Sequence, residues 1–323
     1  MPLTFPIPSE AFSATLANRR EEIIDNIFEK AVFAGMLKMH NGIRMESGGD
    51  TINTPLRMAK NTSSGSFADY DILDVTPQDT ITTAQYQWRA LYATVTISWM
   101  EEQKNDTEHQ VFSLLQSKID GARDTIRDKL NIQLMQAQPG AGSKDLNSIT
   151  ELIDEAPTAN PARGAIGGIT VASSANTWWR NKATSGGAFT VADMNTMFND
   201  VSQAAEMPHF ILTSQTDFEY YENSQVGQIR YASANVADAG FQALQFKGRP
   251  IVFDPQIGNT DEMYFINTDY LKLVIKTGAD FVMGEFTEPD NQAARTAKIL
   301  FLGNLENSNR RRTGTLHGIT APA

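Results

Sequence analysis

The side chains able to do chemistry are few and scattered. The four histidines, His40, His109, His209 and His317, fall in four separate predicted elements, and none has the spacing of an HExxH metal pair. Glu101, Glu102, Asp106, Glu108 and His109 cluster before the long predicted helix. Carboxylates gather at a helix start because that end of the helix dipole is positive, so the cluster reads as a helix start and not as a cation site. Gly164, Gly167 and Gly168 have only the glycine content of a phosphate-cradling loop. No lysine follows them, and they lead into an apparent strand at Ile169–Ala172, where a phosphate loop would lead into a helix. There is no G-x-S-x-G elbow. Cysteine is absent, which removes disulfides, thiolate ligands and cysteine nucleophiles and fits a reducing cytoplasm. No catalytic, cofactor-binding or metal-binding residue is assigned, and the chain is expected not to be an enzyme.

Two oddities remain. Arg310, Arg311 and Arg312 make the one basic run in an acidic chain. They read as a solvated strand end, as a contact with a neighbour's carboxylates, for which Asp69, Asp71 and Asp74 are candidates, or, last in order, as a nucleic-acid contact. Trp178 and Trp179 lie together in a polar stretch, NTWWRN, and adjacent residues cannot both face one side of a strand. At least one packs in a core, or the pair serves a subunit contact, where tryptophan is favoured. The net charge of −11, with a pI near 4.9, disfavours tight or sequence-specific nucleic-acid binding by Coulomb repulsion. No apolar run reaches the 18–20 residues that span a bilayer, and the start, MPLTFPIPSEAF, has neither the basic nor the apolar region of a secretory signal.

The elements that would position any site are dominated by length. Residues 81–99, ITTAQYQWRALYATVTISW, read as one strand of roughly 60 Å at about 3.3 Å per residue. A compact chain of this size is only roughly 50 Å across, so the strand must protrude or be shared. Tyr86, Trp88, Ala90 and Tyr92 fall on one face and Val95, Ile97 and Trp99 on the other, which places a bulge near Ala93–Thr94. A protruding apolar ribbon is an aggregation hazard in a monomer and an interface in a chain built to assemble. With residues 51–58 the ribbon brackets a polar tip around NTSSGS (61–66), a long irregular hairpin.

Before the hairpin, Pro2, Pro6 and Pro8 predict an extended arm restrained by a neighbour, and residues 13–39 predict a helix. After it, Val111, Leu115, Ile119, Ala122, Ile126, Leu130 and Leu134 repeat at threes and fours, predicting a helix over 107–137 that Pro139–Gly140 stop. At 1.5 Å per residue it would be about 45 Å long. A short helix at 145–155 and a Gly/Pro/Ala linker lead into a mixed α/β region. This holds a Thr190-capped helix over 190–205, a buried strand at 209–213, a capped helix over 214–222, a hairpin through Lys247–Gly248, and strands at 263–278. Strands return over 279–319.

In that order of elements the chain resembles a tailed-bacteriophage major capsid protein of the Hong Kong 97 fold. The local stretches Asp145–Leu146–Asn147–Ser148–Ile149, Gly167–Gly168–Ile169 and Thr177–Trp178–Trp179–Arg180 are similar to that family's passage out of the long helix. The resemblance implies an α+β subunit with residues 1–48 as N-terminal arm and 49–98 as an extended loop over an adjacent subunit. Residues 99–140 with 270–323 would be the peripheral domain around the spine helix, and 141–269 the axial domain. It implies a virion protein, assembled in the host cytoplasm into pentamers and hexamers around double-stranded DNA that it does not read by sequence. Scaffolding, portal and decoration proteins are the implied partners, with no membrane and no cofactor. Because the chain starts almost at the arm, a separate scaffolding protein or none is expected. Some relatives form a covalent Lys–Asn crosslink; Lys60 lies on the loop, but the sequence supplies no partner and no crosslink is assigned. The candidate intersubunit residues are Tyr86, Trp88, Tyr92, Trp178, Trp179, Arg310, Arg311 and Arg312. Alternatives are an encapsulin-type nanocompartment shell, a soluble α/β enzyme centred on 190–270, and another virion component.

Overall fold

The computed structural model describes residues 31–104, 114–136, 144–161, 164–225, 244–257 and 261–322. The arm and most of the helix expected over 13–39 lie outside them, as do the first turns of the long helix and its Pro139–Gly140 stop. The chain divides into two compact units: one holds Ala90–Leu130 and Gly278–Leu302, the other Val32–Arg89, Asn131–Thr277 and Gly303–Ala323.

In the first unit, β4 (Arg89–Ser98) and the short β11 (Val282–Met283) both pair with β12 (Ala294–Asn307), β11 in antiparallel register with Val282 opposite Leu300. Phe281 packs on Phe301 with ring centroids 5.0 Å apart. Helix Trp99–Lys104 follows β4. Its Glu101 accepts from Ser98 N–H and pairs with Lys118 at 3.0 Å, and its Glu102 pairs with Arg295 at 3.0 Å. The long helix is described over Leu114–Met135. Of its expected apolar stripe, Ile126, Leu130 and Leu134 are buried, Ile119 and Ala122 are half-buried, and Leu115 is exposed. The first half of the stripe is therefore not fully covered by the described residues.

The second unit is built on a six-stranded mixed sheet in the order β5 (Lys182–Ala188), β13 (Gly314–Thr320), β9 (Met263–Ile266), β6 (Phe210–Thr213), β8 (Arg249–Phe253), β7 (Leu244–Phe246). The β7–β8 hairpin turns through Lys247 and Gly248, both at positive φ as a tight two-residue turn requires. Helices Val191–Val201 and Gln215–Ser224 start where Thr190 and Ser214 accept the N–H groups of Asp193 and Asp217. Their apolar faces (Met194, Met197, Phe198, Phe218, Tyr221) bury against Ile211, Ile251, Phe265 and Leu316. Because side chains alternate across a strand, Phe210 faces the other way, where Phe33 of helix Val32–Met39 meets it. A further strand group joins β1 (Ile43–Glu46) in parallel to β10 (Leu271–Lys276), which runs antiparallel to the end of β12.

Several expectations change. The ribbon is two strands, β3 (Ile81–Gln87) and β4, and the face switches at Trp88, not near Ala93–Thr94: Ala84 and Tyr86 are buried before it and Leu91, Val95 and Ile97 after it. Ile169–Ala172 is no strand; Gly167 and Gly168, at φ of 60° and 76°, close a tight turn bridged by Ile166 and Ile169. Arg310–Arg312 form one 3-10 turn and not a strand end, and Trp178–Trp179 end a 3-10 helix, Ser174–Trp179. The strands β1 and β5 carry no clear period-2 apolar pattern and were not anticipated.

Candidate intersubunit surfaces

The hairpin of β2 (Thr51–Arg57) and β3 pairs antiparallel from Thr51–Gln87 to Arg57–Ile81. Its inward face, Ile52, Ala84 and Tyr86, is anchored to the same chain. The Tyr86 hydroxyl donates to Asn307 O at 2.8 Å and accepts from Asn307 N–H at 3.3 Å. Thr54 donates to Glu306 at 2.7 Å, Asn304 donates to Gln87 O at 2.8 Å, and Gln85 N–H donates to Gly167 O at 2.9 Å. Glycine is required at 167 because a Cβ there would sit 2.9 Å from the Cβ of Ala84 and against the Tyr86 ring. Burial raises the pKa of both the Tyr86 phenol and the Glu306 carboxyl.

Beyond Arg57–Ile81 the chain changes character. Residues 58–80 contain no strand, and their closure is polar: Met58 N–H bonds Thr80 O, Thr62 pairs with Gln78, and Ser63 Oγ bonds Asp74. The end of this loop is apolar as well as acidic. Tyr70 and Ile72 are both 99% exposed and Val75 is 87% exposed, with Phe67 and Leu73 beside them, interleaved with Asp69, Asp71, Asp74 and Asp79. Single exposed apolar residues are ordinary, but a contiguous group of this kind marks an interaction surface.

The candidate residues sort into two groups. Tyr86, Trp179 and Arg310 are interior to the chain, which corrects their assignment as intersubunit contacts. Period-2 spacing identified the face of Tyr86 correctly, but the end of β12 and the Gly167 turn cover that face in cis. Trp179 is buried and donates its indole N–H to Ile166 O at 3.0 Å. Arg310 is buried and donates to Leu152 O at 2.9 Å, Trp179 O at 3.0 Å and Asn181 Oδ1 at 2.8 Å, and burial pushes its pKa down to about 10. The others reach the surface. Tyr92 is 74% exposed on β4, Trp88 is half-buried with its indole donating to Gly49 O, Trp178 is half-buried, Arg311 is exposed, and Arg312 lies 3.4 Å from Glu206.

Trp178, Arg311 and Arg312 share one cleft of about 800 Å³ with Arg57 at the end of β2, with Lys60 just beyond it, and with Lys182. Five cations and one carboxylate, Asp200, line it. Sequence reasoning found the arginine run and the tryptophan pair but missed that Arg57, Lys60 and Lys182 converge on them, since they come from separate elements.

Two further groups are electrostatically unusual. His40 and His209 stack with ring centroids 5.5 Å apart, and both pKa values are lowered, chiefly by burial. Asp217 is 1% exposed, and burial, with Asp261 and Glu262 nearby, raises its pKa to about 7 against the opposing pull of the Ser214 and Thr213 hydroxyls. Neither forms a catalytic constellation. Among the described residues no three His, Asp or Glu side chains are grouped to hold a metal, and no helix is long and apolar enough to cross a membrane. Of the Glu101 cluster, Asp106, Glu108 and His109 lie outside the described residues.

No known family profile and no curated protein matches the sequence. Solved structures do match over nearly the whole chain. The capsid asymmetric unit of cyanophage A-1(L) superposes with a TM-score of 0.71 at 17% identity, covering 94% of this chain and 97% of that one. A chain of the Mycobacterium phage Adephagia structure gives 0.54 at 15% identity, covering 98% and 100%. The SrpI encapsulin of Synechococcus elongatus gives 0.59 at 8% identity, covering 98% and 96%. The fold is therefore α+β and of the Hong Kong 97 type, as the resemblance implied.

Proposed function

We propose that this chain is the major capsid protein of a tailed bacteriophage, a structural subunit that assembles into the pentamers and hexamers of an icosahedral shell around double-stranded DNA. The observation that carries this reading is the near end-to-end match to a cyanophage capsid subunit. The exposed apolar loop end supports it, since such a group calls for cover by another surface. In this reading residues 1–48 are the N-terminal arm and 49–98 the extended loop over an adjacent subunit. The peripheral domain is 99–140 with 270–323, and 141–269 is the axial domain. The acidic surface suits an inner wall that does not hold phosphate tightly. The subunit is not an enzyme. It is assembled in the host cytoplasm, resides in the virion, and takes scaffolding, portal and decoration proteins as partners. The encapsulin alternative shares the fold, and the higher TM-score of the cyanophage capsid chain, 0.71 against 0.59 for SrpI, favours the phage reading over it.

The test is negative-stain electron microscopy of the purified full chain, alone and with scaffolding protein from the same genome. Closed shells or capsomers are expected. A stable monomer under both conditions would refute the reading, and shells that package a cargo enzyme instead of DNA would transfer it to the encapsulin class.

A further inference from the structure

Resting on the shell-subunit reading, we infer that the cationic cleft between the end of β2 and Arg311–Arg312 is the seat for the acidic, apolar loop segment 67–79 of a second copy. The cleft concentrates positive charge in a chain whose net charge is −11. Of its cations, Arg312 faces Glu206, whereas Arg57, Lys60, Lys182 and Arg311 have no carboxylate partner among the described residues. Trp178 adds an aromatic surface beside them. The segment FADYDILDVTPQD is the complement: four aspartates, no basic residue, and five large apolar side chains open to solvent. A loop that is both acidic and apolar fits a receptor that is both basic and aromatic.

The segment does not fill its own chain's cleft. The Thr62–Gln78 and Ser63–Asp74 bonds close the loop on itself, and Tyr70 and Ile72 remain almost wholly exposed. The occupant is therefore the same segment from another copy. A nucleic-acid backbone is the other anion that a basic cleft invites, but it would leave the apolar residues of the loop uncovered.

The chain has no cysteine, so a disulfide can be placed without background. Asp69→Cys and Arg311→Cys are made in separate full-length chains, mixed, assembled and oxidised. Crosslinked heterodimers are expected, and a control mixture of Asp69→Cys with Asp290→Cys should give none. In a second set, Asp69→Lys with Asp71→Lys should weaken assembly at least about tenfold at low salt, because like charges then meet. Adding Arg57→Glu with Arg311→Glu should restore it. The defect should shrink as salt approaches about 1 M, where the Debye length is near 3 Å. Shells that form without the crosslink and without charge-swap rescue would overturn this inference and leave the capsid reading standing. So would a short DNA duplex whose binding alone is abolished by the Arg57 and Arg311 reversals. Failure of the unmodified chain to assemble would overturn both. If a cysteine variant does not assemble, the charge-swap set decides.

Discussion

Replacing Arg310 should act first on the stability of the folded subunit and not on its association surface. The guanidinium holds three acceptors for which no other donor is found among the described residues: Leu152 O, Trp179 O and Asn181 Oδ1. Arg310→Met keeps the length of the stem and removes all three donors. A buried acceptor left without a partner costs about 1–3 kcal/mol, so the gross loss is roughly 3–9 kcal/mol. Relief from burying a cation offsets part of this, since desolvation of an ion costs several kcal/mol. What remains behind is neutral, not an orphaned charge, so the net loss should fall near about 2–4 kcal/mol. That is a large share of a typical stability of about 5–15 kcal/mol. Arg310→Lys should recover little, because a single ammonium cannot span a site shaped for a planar fork. Arg311→Met, on the exposed neighbour, should change stability by less than about 0.5 kcal/mol.

The assay is urea unfolding of dilute, unassembled subunit followed by tryptophan fluorescence, which is sensitive here because Trp179 supplies one of the acceptors. If Arg310→Met unfolds within about 0.5 kcal/mol of the parent, the buried network does not hold the fold and the reasoning fails. One practical consequence follows at once. An alanine triple at Arg310–Arg312 would confound folding with assembly, so only Arg311 and Arg312 are usable probes of the cleft.

Tyr86→Phe removes the hydroxyl bonded to Asn307 and should destabilise the subunit by about 1–2 kcal/mol, measured in the same urea titration, while Tyr92→Ser should leave stability nearly unchanged. Asp217 has a folded pKa above its unfolded value, so its contribution is present at low pH and is lost as pH rises from near 4 toward about 7, at up to about 1.4 kcal/mol per pH unit; Asp217→Asn should flatten that part of the stability–pH curve, and an unchanged curve would refute it. The His40–His209 pair has the opposite sign. Its depressed pKa values mean that stability is present above pH about 6.5 and lost on acidification. Protonating His209 Nδ1 would set it against the Thr268 N–H that it now accepts at 3.2 Å, with Asp269 favouring and Arg249 opposing the charge. Amide protection in helix Val32–Met39, taken relative to the intrinsic exchange rate at each pH, should therefore fall between pH 7 and 5, and unchanged protection would count against the pair.

What the sequence made legible was the set of elements governed by strong local rules. The Thr190 and Ser214 caps, the Lys247–Gly248 hairpin and the apolar strand at Phe210–Thr213 all depend on a few adjacent residues. So did the β2–β3 hairpin, whose pairing follows from two runs flanking a turn-rich stretch. What was not legible depended on distant partners. Tyr86 and Val95 both alternate correctly, but only a three-dimensional cover distinguishes a face buried in cis from one offered to a neighbour. The face switch at Trp88 is invisible to period-2 counting because Ala90 and Tyr92 extend the wrong phase through it. Arg310, Arg311 and Arg312 look alike in sequence, and one 3-10 turn sends the first inward and leaves the second in water. The loop end was read as polar from NTSSGS, and its apolar residues escaped notice because they follow no period.

The buried polar groups and the exposed apolar groups divide the work of this chain. Arg310, Tyr86 and the Thr54–Glu306 bond lie at the root of the hairpin and next to it, and every partner they use comes from the same chain. Buried hydrogen-bonded groups are costly to leave unpaired, so they fix a single geometry in the isolated subunit. The surfaces left open (the 67–75 loop end, Tyr92, and Leu115 on the long helix) are apolar and make no such demand before a partner arrives. The proposed role as a shell subunit would call for this separation. It must hold its hairpin root rigidly while free, yet keep its association surfaces uncommitted until other copies cover them. Substitutions should therefore fall into two classes with little overlap: changes at Tyr86 or Arg310 move the unfolding midpoint, and changes at Tyr70 or Ile72 move the concentration at which copies associate. A Tyr70→Ser, Ile72→Ser chain that loses urea stability to the same degree as Arg310→Met would contradict that division.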